Sequence, residues 1–512
     1  ADPQKRLMLL LDFKNHTQEI LDWLIETIAP YDSIFDPQVN PAAVQLAISG
    51  ARPPAQDWLK LPNNIFIDGR LHDLIDASNR HKVALISAPF YKYSSWKGLD
   101  DIHPQELEKI QAAIQQAQEL DLKLRFWATP DTPKAWHHFL LWQLDFINTD
   151  QVGQAGQFLQ DYSKNFYLNL SPYPAYRARP NFSKRSPENI ILFLAPGINW
   201  SHLEALKAIN REFIALDNFK DRAMVQIESQ DHFMPDAAAA ASQIAGGEVV
   251  KNRYIGLNDQ GQPIKNLLEI GQEKGLKIGL ISSGLLSQAS LSPFYAHCED
   301  KSNYKIILEQ LADNRFDLLA GEGNHLLDTY PGFKEKLMGQ SYKFSHNLET
   351  FRENVKFPEI LLSEVEYFAS NPYPSQQNRF AELLSASIKK LHYSGNPFFL
   401  IAESARLDEG KTSTHMHHLM EELLSLDRAV STALAYADRS QNTIVLFLCP
   451  YESGGLQLLD ADPKKSWVLG SFSQKGVNKR VSGLFAYGPG ARQCRGWLQG
   501  EQIFELIKDY IH

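Results

Sequence analysis

Short runs of consecutive apolar residues, separated by stretches whose apolar positions recur at helical spacing, set the pattern of this chain. In the first third the runs are LMLLLDF (7–13), VQLAISG (44–50), NIFIDG (64–69), VALISAPF (83–90), LRFWATP (124–130) and FINTD (146–150). Between them lie an amphipathic segment around Glu19–Ile28 and a long helical stretch from Pro104 to Leu120. Strands that alternate with helices predict parallel β/α units. The pattern then lapses. Residues 163–187 are rich in Pro, Ser, Asn and Arg and keep neither period, which predicts a linker. Beyond it the alternation resumes with NIILFLAPG (189–197), KIGLISSG (277–284), FDLLAGEG (316–323), PFFLIAES (397–404) and TIVLFLCP (443–450). The expected organisation is a β/α domain over 1–162, a linker over 163–187 and a second α/β domain over 188–512.

Composition narrows the classes of function. At 512 residues, 44% hydrophobic, the chain can bury two large cores. A formal net charge of -9 gives no broad attraction for nucleic acid or anionic lipid, and no apolar run of about 18 residues predicts a transmembrane helix. Cys298, Cys449 and Cys494 are odd in number and widely spaced, which excludes a disulfide scaffold or a CxxC metal knuckle.

Residues 188–512 carry PENIILFLAPG (187–197), PDAAAAA (235–241), ISSGLLSQASLSPFYAH (281–297), FFLIAESARLDEG (398–410), LDRAVSTALAYA (426–437), ESGG (452–455) and FAYGPGARQCRGW (485–497). In order and spacing this region resembles the alkaline phosphatases from end to end. The resemblance implies a three-layer α/β/α domain with a large, mostly parallel sheet. It also implies a serine nucleophile at a helix start, a zinc pair held by carboxylates and histidines, and a cation on the phosphate.

Each requirement meets a changed residue. The nucleophile position is Ala237 after Asp236, and the first metal-binding aspartate is replaced by the Ala195-Pro196-Gly197 turn. Asp408 remains on its segment, but its partner four residues on is Thr412, and the Asp-His pair before Glu452-Ser453-Gly454-Gly455 has become Pro450-Tyr451. The stretch 473–483 holds no histidine. Glu403 matches the family glutamate of the magnesium site, Gln288-Ala289-Ser290 replaces an Asp-x-Thr pair, and Lys301 stands for the phosphate-clamping arginine without its bidentate fork. The expectation is a pseudoenzyme with no zinc pair and no cofactor, or at most a single magnesium or calcium ion on Asp236, Glu403 and Asp408. Without a cation, Arg406 and Lys411 are near enough in sequence to neutralise those carboxylates.

In the first part, LLLDFK (9–14), AISGARP (47–53), IDGRLHDL (67–74), LRFWATPDTPKAW (124–136) and DFINTD (145–150) resemble the later strands of glycerophosphodiester phosphodiesterase and phosphatidylinositol phospholipase C barrels. That likeness implies an incomplete TIM-type (β/α) barrel whose catalytic histidines would precede residue 1. It further implies that Asp12 supports a divalent ion and that Lys14 and Arg125 hold phosphate. Five or six strands leave open edges that another protein, or a cleaved N-terminal segment, would cover. Two functions remain open: a catalytically inactive binding or structural protein, secreted, periplasmic or on the cell surface after loss of a signal peptide, or a phosphodiesterase completed by a segment absent from this chain.

Overall fold

The computed structural model describes residues 7–511 apart from 74, 181, 183–185, 346, 354–357, 365–366, 369–377, 410–413, 474–475 and 480, with 478–479 as backbone only. The chain forms two compact units, Ala1–Asp161 and Tyr162–His512.

The first unit is built on five parallel strands, Met8–Phe13, Gln45–Gly50, Ile65–Gly69, Val83–Pro89 and Leu124–Trp127, which lie side by side in chain order. Sequential parallel order is what successive β/α units produce. Among the described residues the first and last strands pair on one side only, so the sheet is open. Phe13, Ile48 and Ile67 bury one face beneath the helix Thr17–Ile28, which offers Leu21, Leu24 and Ile28 at helical spacing. Their neighbours Asp12, Ser49 and Asp68 therefore face the other side.

One expected strand is missing. Residues 146–150 are irregular because their polar groups are satisfied locally. Asn148 accepts from Arg125 Nη2 at 2.6 Å through its side chain and from Thr129 Oγ1 at 2.7 Å through its carbonyl, and the Asp150 amide donates to Asp131 at 3.0 Å. Side-chain bonds have displaced a ladder there.

The 163–187 segment also differs from the expected linker. Phe166–Leu168 forms a strand against Trp467–Phe472, which in turn pairs with Leu456–Asp462. The hydroxyls of Tyr167, Tyr173 and Tyr176 then donate to Glu421, Asp427 and Asp438 on the helix Met416–Ser440. Prolines prevent a regular ladder, yet tyrosines spaced without helical or strand period still bury their rings and anchor the segment.

A ten-stranded sheet organises the second unit. Its strands run across in the order Lys343–Ser345, Glu359–Ser363, Leu318–Glu322, Lys277–Leu285, Phe398–Glu403, Asn189–Leu194, Thr443–Leu448, Val481–Tyr487, Asp221–Gln226 and Gly496–Gln499. Only Val481–Tyr487 runs against the others. The central strands Asn189–Leu194, Phe398–Glu403 and Thr443–Leu448 are buried at every position, the reason their sequences are continuous apolar runs. Helices Trp200–Ile209, Arg379–Tyr393 and Met416–Ser440 cover one face, and Ala237–Gly246, Leu267–Glu273, Tyr304–Asp313 and Gly500–Asp509 the other, giving three layers with two cores. The three cysteines are free and buried, as their spacing implied.

Candidate active site

In a parallel sheet the loops after the C-terminal strand ends gather polar groups at one edge, and here they do so around Glu403. This residue ends a wholly buried strand. Its two oxygens accept from Ser282 Oγ at 2.9 Å and Ser290 Oγ at 2.5 Å. Burial pushes its carboxyl up to about 7, with the carboxylates of Glu409 and Asp408 adding to the rise and the two serines opposing it.

Asp408 lies on the turn that follows. Tyr451 donates its hydroxyl to Asp408 Oδ2 at 2.8 Å. Burial raises the Asp408 pKa above the usual carboxylate range, while the Ser453 and Tyr451 hydroxyls and Lys301 pull it back. The neighbouring Arg406 pairs its guanidinium with buried Glu322, lies 3.5 Å from the Glu409 carboxylate and donates to the Ser283 carbonyl at 3.2 Å. Gln288 Nε2 holds Glu409 at 2.9 Å.

Asp236 arrives from a different element. It caps the helix Ala237–Gly246, accepting from the Ala239 amide at 2.9 Å through Oδ1. Its Oδ2 takes the Arg253 amide at 3.0 Å and the Lys301 ammonium at 2.9 Å. The helix presses Ala238, Ala239, Ala240 and Ala241 fully into the core, and only small side chains permit so close an approach to the sheet. Ala237, its first residue, lines a cavity of about 240 Å³ with Ser290, Lys301, Asp408, Glu409 and Tyr451. Ser242, a possible substitute nucleophile, is buried, donating to the Tyr254 carbonyl and accepting from the Gly256 amide.

Ala237, Lys301 and Asp408 thus meet at one cavity, with Asp236 joined to it through Lys301 and Glu403 through Ser290. Lys411 and Thr412 lie outside the described residues, as does part of the histidine-free stretch. Among the described residues no group of three or more His, Cys, Asp or Glu is arranged to hold a metal ion. A zinc site takes about three or four protein ligands. Pro196, Pro450 and Tyr451 offer none of the usual ones, and each surviving carboxylate already has protein partners. Among the described residues the donor set does not fit a zinc pair.

The first unit holds the other expected group. Lys14 pairs with Asp12, both largely exposed. Arg125 is held by Ser87 at 3.4 Å and Asn148 at 2.6 Å, and burial lowers its pKa although Asp68 and Asp12 favour its charge. Asp12 and Arg125 therefore share one face of the sheet. Trp96, also in this unit, is buried with its ring edge-on to His138 and tilted against Trp142. Sequence reasoning missed Asp68, which is fully buried, bonds Ser49 at 2.6 Å and Arg70 at 3.1 Å through Oδ2, and leaves Oδ1 without a partner among the described residues. A charged residue ending the apolar run NIFIDG was the available signal. Glu409 was missed too, although it stands beside Asp408.

A large, mostly parallel sheet between two helical layers thus carries carboxylates and a capped helix start at its C-terminal edge. The alkaline phosphatase family model matches residues 187–320 and 368–505, more than half of the chain, and the protein belongs to that family. It is 21% identical over 302 residues to alkaline phosphatase 4 of Bacillus subtilis, spanning 56% of this chain and 65% of the relative. Alkaline phosphatase 3 of the same organism is 23% identical, over 55% of this chain and 64% of that protein. The chain thus spans a little under two thirds of either. Among solved structures, the alkaline phosphatase of the Antarctic bacterium TAB5 matches with a TM-score of 0.59 at 22% identity, covering 64% of this chain and 99% of that one. The Thermus thermophilus alkaline phosphatase gives 0.55 at 15% identity, over 66% and 93%.

Proposed function

We propose that this family member no longer carries out phosphoryl transfer and serves as a secreted, periplasmic or cell-surface binding or structural protein. The observation that carries the reading is Ala237 at the helix start that lines the cavity. A methyl group cannot attack phosphorus, and without the covalent intermediate the reaction loses its division into two easier steps. The carboxylates Asp236, Glu403 and Asp408 are held by an ammonium, amides and hydroxyls in place of a zinc pair or a single hard cation, so no ionised nucleophile is generated. The partner we infer is another protein or a separate segment that covers the open edges of the five-stranded sheet. The test is hydrolysis of p-nitrophenyl phosphate by the purified chain with zinc or magnesium added. We expect none; turnover that vanishes in the Glu403→Ala, Asp408→Ala double variant would sink the proposal.

A second reading, phosphodiester hydrolysis at the first unit, is favoured by the polar row of Asp12, Asp68, Ser87 and Arg125 at one sheet face. That row can bind a phosphate, but cleavage requires a general acid and base that a further segment would supply. Glycerophosphodiester hydrolysis appearing only when such a segment is joined to residues 1–161 would establish it.

A further inference from the structure

A feature not used above is a groove at the opposite edge of the second unit's sheet. The helix Arg379–Tyr393 ends just before the strand Phe398–Glu403 begins, and Met416–Ser440 ends just before Thr443–Leu448. Because those strands are parallel, both helix ends lie at the N-terminal edge, away from the carboxylates. Between them is a cavity of about 440 Å³, within the range of small-molecule sites.

Its lining has a definite chemical character. Ile388 and Tyr436 are buried and form an apolar base, and the Tyr436 hydroxyl meets His392 Nδ1 at 3.1 Å. Lys389 and Arg439 stand at the rim, both exposed. Arg439 has no hydrogen bond or ion pair to any described residue, and Lys389 has only the Tyr393 ring, 6.0 Å from its ammonium. That ring is 73% exposed. The described lining contains no carboxylate, and the nearby Asp438 and Glu382 are engaged with Tyr176, Tyr487 and Arg352. Helix dipoles account for basic residues in a last turn. They do not account for an exposed tyrosine beside an acid-free, cation-rimmed cavity in a chain of net charge -9.

We propose that this groove binds a small anion carried on an aromatic body. The acidic group lies between Lys389 and Arg439, and the ring stacks on Tyr393 over the Ile388 and Tyr436 base. The site is independent of the Ala237 cavity and of the function proposed for it.

Calorimetric titration of the full chain with naphthalene-2-sulfonate tests this. Saturable one-to-one binding is expected, weakened at least about tenfold, or about 1.4 kcal/mol, in Lys389→Ala, Arg439→Ala, and severalfold in Tyr393→Ala. These side chains are exposed, so the fold should survive, and an unchanged melting temperature checks that it has. The neutral analogue 2-naphthol should bind much more weakly. No binding by the unmodified chain, equal binding by the double variant, or equal affinity for 2-naphthol would each overturn the proposal.

Discussion

Both units carry carboxylates near the C-terminal ends of parallel strands, yet the two sets are finished differently. In the second unit Glu403 takes two serine hydroxyls, Asp408 a tyrosine hydroxyl, and Asp236 a lysine and two amides. Among the described residues of the first unit, Asp68 is just as buried but keeps one oxygen without a partner, and Asp12 pairs with Lys14 at the surface. Loss of a metal does not leave a hole by itself. Desolvated carboxylates become tolerable once donors of the protein occupy the lone pairs that a metal would take. On the function proposed above the second unit has gone through that exchange, whereas in the first Asp68 Oδ1 has no partner among the described residues.

The largest test of this contrast is Arg406→Met. Its ion pair with Glu322 is a buried charge pair on the same turn as Asp408. Removing one partner of such a pair costs about 3 to 5 kcal/mol, and denaturant unfolding of the second unit should show a loss of that size. A loss below about 1 kcal/mol would place the pair among surface-like ones.

Next in size is a proton linkage at Glu403. Its folded pKa, about 7, lies above the ordinary 4.5. The folded chain therefore keeps a proton that the unfolded chain releases between those values. The contribution is complete below about pH 4.5, falls as pH rises, and is gone above about 7, a total on the order of 3 kcal/mol. Glu403→Gln should remove this slope, so that the variant gains on the parent protein between pH 5 and pH 8. Parallel stability curves for the two proteins would rule it out.

How much of this was legible in the sequence follows from which interactions leave a local pattern. The parallel sheets were readable because strands buried on both faces must be apolar throughout, and Asn189–Leu194 and Thr443–Leu448 are. The residues that line the cavity, Ala237, Lys301 and Asp408, were readable as residue identities. The closure of the site was not. Ser282 and Ser290 reach Glu403 from more than a hundred residues away, and the Arg406–Glu322 pair spans a similar gap. The tyrosine anchors of 167–176 and the side-chain bonds that replace a sixth strand at 146–150 failed to register for a related reason. Periodicity reports which face is buried, not which hydroxyl or amide finds a distant partner.

In the first unit the comparison predicts a smaller penalty. Asp68→Asn preserves an oxygen for Ser49 but loses the charge opposite Arg70, while the atom at the Oδ1 position has no partner to forfeit. About 1 to 2 kcal/mol is expected, seen as faster amide exchange of Ile65–Gly69 with the second unit unaffected. The corresponding Asp408→Asn, which disturbs an oxygen already engaged by Tyr451, should cost at least as much in its own unit. The reverse order would mean that Asp68 is the better satisfied of the two.

The smallest effect belongs to the most conspicuous substitution. Ala237→Ser adds one hydroxyl at the first turn of a helix, on a half-buried side chain that borders the cavity, so stability should stay within about 0.5 kcal/mol. Activity should also stay where it was. A serine hydroxyl attacks phosphorus only once ionised, and the neighbours that would favour ionisation are themselves occupied: Lys301 is paired with Asp236, and Asp408 with Tyr451. Residues of a catalytic group act as a unit, so returning one member recovers little when the others are missing. Assays of Ala237→Ser with p-nitrophenyl phosphate, with and without zinc, should match the parent protein. A phosphoserine trapped at 237 would show instead that the surrounding groups can still ionise the hydroxyl and that the site has lost only its nucleophile.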